Sequence, residues 1–121
     1  MTVAKLLIID DDSDFRESMV LALELEGYEV DTATNGRDGI EAVQANVYDV
    51  ILIDVGMPGL NGVVTLAQIK ELNSTARCFL LTGYSAGDLL DQGLKAGAVE
   101  ILKKPIFVDA LLQKIAAAQS D

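Results

Sequence analysis

Three short apolar runs in this chain end abruptly in charge. Leu6-Leu7-Ile8-Ile9 runs into Asp10-Asp11-Asp12, Val50-Ile51-Leu52-Ile53 into Asp54, and Val99-Glu100-Ile101-Leu102 into Lys103-Lys104-Pro105. The first two show no alternation of polar and apolar residues, as expected of strands covered on both faces. Helical patterns separate the runs, and strands that alternate with helices build a parallel sheet with helices packed on it. If the three runs are neighbours in such a sheet, acids and a lysine gather at its carboxyl edge, where open α/β sheets bind ligands. Clustered carboxylates repel one another unless a cation lies among them.

The alternation repeats five times. Strands are expected at about Lys5–Ile9, Tyr28–Ala33, Asp49–Asp54, Arg77–Thr82 and Val99–Lys103, and helices at about Ser13–Glu26, Arg37–Asn46, Gly62–Asn73, Ala86–Ala96 and Phe107–Ala118. Phe15, Met19, Ala22 and Leu23 recur at helical spacing, as do Val108, Leu111, Leu112 and Ile115. Asp12 or Ser13 caps the first helix and Gly27 ends it. Tyr28–Ala33 is the most polar strand and belongs near a sheet edge, whereas Asp49–Asp54 belongs at the centre. Val55–Asn61, with Gly56, Pro58 and Gly59, is a loop. The 121 residues suit one domain, taken as residues 1–121.

Composition removes several classes of function. Net charge is −10 with a pI near 4.2, which argues against direct nucleic-acid binding. The chain has no histidine, so Ser-His-Asp and Cys-His catalysis and histidine-ligated metals are excluded. Carboxylate, carbonyl and water ligands remain, and they suit hard ions such as Mg2+, Mn2+ or Ca2+. The single cysteine, Cys78, is expected as a small buried residue on a strand. No apolar run is long enough to span a membrane, and nothing resembles a signal peptide, so a cytoplasmic location is expected. The chain lacks both a GxxxxGK(S/T) loop and a GxGxxG turn after its first strand.

Asp10-Asp11, Asp54, the Met57-Pro58-Gly59 and Gly62 loop, Thr82-Gly83 and Lys104-Pro105 follow the five-strand pattern in order. From about Lys5 to Ala117 the chain resembles the receiver domain of two-component response regulators. That resemblance implies a flavodoxin-like α/β fold: one doubly wound, five-stranded parallel sheet in the order 2-1-3-4-5, flanked by five helices. It implies that Asp54 is the phospho-acceptor, that Asp10, Asp11, Asp54 and the backbone carbonyl of Gly56 hold Mg2+ (or Mn2+), and that Lys104 pairs with Asp54 and then with the phosphoryl group. It further implies that Thr82 is a switch hydroxyl and that the Lys104–Pro105 bond is cis. Asp12 is given only a capping role and Lys103 only a solvated one.

The resemblance also implies partners: a histidine kinase or histidine phosphotransfer protein as donor, and an output domain or downstream protein as reader. A homodimer through the helix 4–strand 5–helix 5 face is a further option. In one respect the chain departs from the family. The switch aromatic usually found three residues before the lysine–proline pair is Ile101 here. An aliphatic side chain has no ring to swing, so a different output signal is expected. Tyr84 is a nearby aromatic, and with Gly56 it occupies a position that tunes acyl-phosphate lifetime in the family, so a long-lived phospho-form is expected. The alternative reading is a receiver-like interaction module that works without phosphorylation. A small flavodoxin-like cofactor binder is a third, and the chain lacks the phosphate loop it needs.

Overall fold

The computed structural model describes residues 4–56, 61–83 and 87–119. Five strands, β1 (Lys5–Ile9), β2 (Glu29–Ala33), β3 (Val50–Asp54), β4 (Arg77–Thr82) and β5 (Ala98–Lys103), alternate with five helices. These are α1 (Ser13–Leu25), α2 (Gly36–Ala45), α3 (Gly62–Leu72), α4 (Gly87–Ala96) and α5 (Val108–Gln119). The strands form one sheet in the order β2-β1-β3-β4-β5, with every neighbouring pair parallel. The expected doubly wound architecture is therefore present, and element ends fall within about a residue of the expected ones.

Side chains alternate across the sheet, so each apolar run feeds two cores. Leu6 and Ile8 of β1 join Val50 and Leu52 of β3, Phe79 and Leu81 of β4, and Met19, Leu23, Leu111 and Ile115 from α1 and α5. Leu7, Ile9, Ile51, Ile53, Cys78 and Leu80 point the other way, towards Val43 of α2 and Leu66 and Ile69 of α3. This two-sided burial explains the unbroken apolar runs Leu6–Ile9 of β1 and Val50–Ile53 of β3. β2 lies at the sheet edge and exposes Glu29, Asp31 and Thr32, which explains its polar sequence.

Local chemistry sets the element ends. Asp12 caps α1 by accepting hydrogen bonds from the N–H groups of Asp14 and Phe15. Gly27, with φ +94°, supplies the left-handed residue that stops α1. Asn35 and Asn61 cap α2 and α3 in the same way as Asp12. β5 begins at Ala98, one residue before the expected start, and its pairing with β4 shifts register between Cys78 and Phe79. That irregularity follows the left-handed Gly97, φ +112°, which turns the chain from α4 into β5.

Candidate functional site

The carboxyl ends of β1, β3, β4 and β5 bring together Asp10, Asp54, Thr82 and Lys104. Asp10 follows β1 and is fully buried; Asp54 and Thr82 close β3 and β4 and are 8% and 1% exposed. Asp11 stands next to Asp10 on the rim and is exposed. One carboxylate oxygen from each of Asp10, Asp11 and Asp54 lies within 4.8 Å of the others. Three carboxylates and one ammonium leave a formal charge of −2 when all are ionised, and the donors are all hard oxygens. Both features fit a divalent ion such as Mg2+.

The Lys104 ammonium binds Asp10 more closely than Asp54. It donates to Asp10 Oδ2 at 2.6 Å and lies 3.8 Å from Asp54 Oδ2. Burial decides this order: the Asp10 carboxylate has no exposed surface and needs a charge partner. Its second oxygen accepts the backbone N–H of Asp12. Asp54 is oriented differently, with Oδ1 accepting the backbone N–H of Gly56 at 3.2 Å. Burial, and then the neighbouring charge of Asp10, hold the Asp54 carboxyl above its ordinary pKa, against the opposing effects of Gly56 N–H and Lys104.

The backbone holds these groups in place. Lys104 N–H donates to Thr82 O at 2.7 Å, tying the lysine to the end of β4. The Lys104–Pro105 peptide is cis, as the resemblance implied. Gly62, the first residue of α3, lies so close to the end of β3 that a Cβ there would stand 2.7 Å from Val55 Cα and 2.8 Å from Asp54 O. Ile101 is partly buried beside the core that contains Leu80. A Cβ on Gly93 would meet Leu80 Cδ1 at 2.6 Å and Ile101 Cδ1 at 2.9 Å, so α4 is packed directly over this isoleucine. Tyr84 and the Met57-Pro58-Gly59 segment lie outside the described residues.

Two contacts were not expected from the sequence. Arg16 donates from its guanidinium to the carbonyl oxygen of Asp10 at 2.8 Å, which ties the acidic turn to α1. A signal was present, since Arg16 is the only cation between Asp10 and Glu26. Phe15, expected only as a core residue of α1, presents its ring to the Lys104 ammonium at 4.4 Å from the centroid. No local pattern announces that contact, because it joins opposite ends of the chain.

A parallel five-stranded sheet with a buried aspartate, an acidic pair and a lysine at its carboxyl edge defines a CheY-like α/β fold. The response regulator receiver domain profile matches residues 6–116, and the chain belongs to that family. It is 38% identical over 117 residues to the transcriptional regulatory protein CpxR homolog of Haemophilus influenzae, covering 95% of this chain and 50% of the relative. It is 36% identical over 106 residues to the transcriptional regulatory protein ZraR of Escherichia coli, covering 88% and 24%. The chain therefore spans half or less of the length of these two curated relatives. Among solved structures, a CheY-like receiver domain protein from Methanospirillum hungatei superposes with a TM-score of 0.93 at 29% identity, covering 96% of this chain and 93% of that one. A response regulator from Burkholderia pseudomallei superposes at 0.86 with 28% identity, covering 97% and 71%, and is described with a phosphorylated aspartic acid, a calcium ion and citrate.

Proposed function

We propose that Asp54 is the phospho-acceptor of this receiver domain and that residues 1–121 work as one signalling unit. The supporting observation is the placement of Asp54: a buried carboxylate 3.8 Å from Lys104 and grouped with two further aspartates. An Asp54 oxygen attacks the phosphorus of a phosphohistidine on a histidine kinase or histidine phosphotransfer protein. The O–P bond forms, the P–N bond breaks, and the imidazole nitrogen leaves with the electron pair. Gly56 N–H aims the Asp54 carboxylate.

Lys104 is already close enough to follow charge from Asp54 onto the transferred phosphoryl oxygens, while Thr82 lies at the end of the adjoining strand to bond one of them. Asp10, Asp11, Asp54 and the Gly56 carbonyl would hold Mg2+, or Mn2+ in its place. When bound, that ion neutralises the charge growing on the phosphoryl oxygens. Phosphorylation adds negative charge and strong acceptors beside Thr82 and Lys104 and so biases the face formed by α4, β5 and α5. Leu94, Val99 and Phe107 are exposed in this region, an apolar surface suited to an output domain, a partner or a second copy. We place this chemistry in the cytoplasm, and no helix among the described residues is long and apolar enough to cross a membrane.

Incubation with acetyl phosphate and Mg2+, followed by intact mass measurement, tests the reading. The expected result is one phosphate adduct, lost in Asp54→Ala. Absence of an adduct with both acetyl phosphate and a cognate kinase would instead favour an interaction module that works without phosphorylation.

A further inference from the structure

We propose that Phe15 is a positioning residue for Lys104, and that its ring face holds and guides the ammonium as it moves between carboxylates and phosphoryl group. The role assigned to that movement rests on the phospho-acceptor reading of Asp54; the contact itself does not. Lys104 Nζ stands 4.4 Å from the Phe15 centroid, well inside the range of about 6 Å over which a cation is attracted to a ring face. The two carboxylates, at 2.6 and 3.8 Å, approach the same ammonium. The lysine side chain is only 21% exposed, so water covers little of it. The ring supplies part of what that water would have supplied.

The ring is itself held. Phe15 lies in the first turn of α1, where its N–H donates to the capping carboxylate of Asp12. Its side chain packs against the core shared by α1 and α5. Phe15, Asp12, Lys104, Pro105 and Ile106 line one shallow groove, so the ring bridges α1 and the segment after β5.

The chemistry explains why a ring suits this place. Lys104 has to follow charge from Asp54 to the phosphoryl oxygens. A third carboxylate beside it would trap the ammonium by a directional, charged hydrogen bond. An aliphatic side chain would exclude water without attracting the cation. The negative face of a ring attracts the ammonium over a broad area, so the contact persists while the hydrogen bonds exchange.

The test uses the full chain, with Phe15→Leu and Phe15→Tyr as variants. Lysine side-chain carbon–proton NMR spectra read the contact directly, with the Lys104 signal identified by its loss in Lys104→Arg. A methylene group beside a ring face is displaced upfield by the ring current. The expected result is an upfield Lys104 ε-methylene signal in the parent and in Phe15→Tyr, returned to the ordinary lysine position in Phe15→Leu. Phosphorylation of Asp54 by acetyl phosphate should slow by about 2- to 10-fold in Phe15→Leu, because an ammonium no longer held over the ring is less often in place at the phosphoryl oxygens, and stay near the parent rate in Phe15→Tyr.

An ordinary Lys104 position in the parent overturns the proposal. So does a folded Phe15→Leu that is phosphorylated at the parent rate, or a folded Phe15→Tyr as slow as Phe15→Leu. If Phe15→Leu does not fold, the parent spectrum still decides, and a folded Phe15→Tyr about 2-fold or more slower than the parent overturns the proposal. A parent that takes up no phosphate yet keeps the displaced signal overturns the acceptor reading and supports the ring contact.

Discussion

Asp54 is ionised at a cost to the fold, and that cost gives a sign to its substitution. Burial and the field of Asp10 raise its pKa in the folded state above the ordinary 3.8. The folded protein therefore holds this proton more tightly than the unfolded chain. Below the unfolded value both states are protonated and no penalty arises. As pH rises through the interval between the unfolded and folded values, the unfolded state ionises first and stability falls, and above the folded value the penalty is complete. Asp54→Asn keeps the shape and the acceptor for Gly56 N–H but removes the charge. Its melting temperature should exceed the parent's at neutral pH, with the difference closing as pH falls below about 4. A lower melting temperature at neutral pH would show that Asp54 is stabilised by its neighbours instead. Cys78 makes a second residue-scale case. Burial pushes its thiol up to about 12, so in the folded chain at pH 8 it should react with a thiol reagent no faster than the protein opens. Rapid labelling of the folded protein would contradict that.

At the scale of elements, the start of α3 is set by contact with the end of β3. The missing side chain at Gly62 lets the helix approach Val55 and Asp54, and any Cβ would press on backbone that cannot swing away. Gly62→Ala should cost about 1–3 kcal/mol, read as a lower urea midpoint, and should also slow phosphorylation by displacing Asp54. A midpoint equal to the parent's would mean that the two elements separate without cost. By contrast, the carboxylate of Asp12 serves only the start of α1. Asp12→Ala removes the acceptor for two N–H groups and should cost about 1 kcal/mol, while Mg2+ affinity stays near the parent's, because Asp12 is outside the cluster of Asp10, Asp11 and Asp54.

Much of this arrangement was legible in the sequence because its signals are local. Apolar runs, caps and strand-end charges each occupy a few consecutive residues, and alternation plus the ordered motifs place them in one sheet. The ranking of Asp10 above Asp54 as the partner of Lys104 was not legible. It depends on which carboxylate is wholly buried, and the two partners are 94 residues apart. The ring contact of Phe15 has the same origin. The family resemblance implies that Ile101 stands where an aromatic is usual, but only the close approach of α4 at Gly93 shows that the isoleucine is packed in place beneath that helix.

Over the whole molecule, a net charge of −10 meets a cluster that gathers three carboxylates at one edge. Both raise the free energy of the folded state by repulsion, yet they respond differently to cations. Any salt screens the diffuse surface charge, and a site for a divalent ion adds binding energy that only the folded chain can use. MgCl2 should therefore raise the melting temperature more than NaCl at equal ionic strength. At a free Mg2+ concentration ten times the dissociation constant the added stability is about 1.4 kcal/mol, which corresponds to a shift of roughly 4–8 °C for a domain near this size. Asp11→Asn separates the two effects, because it removes an exposed ligand while changing the total charge by one. In that variant the response to NaCl should persist and the excess response to MgCl2 should fall sharply. Equal responses to the two salts in the parent chain would reduce the acidic cluster to ordinary surface charge and remove the basis for metal-assisted transfer at Asp54.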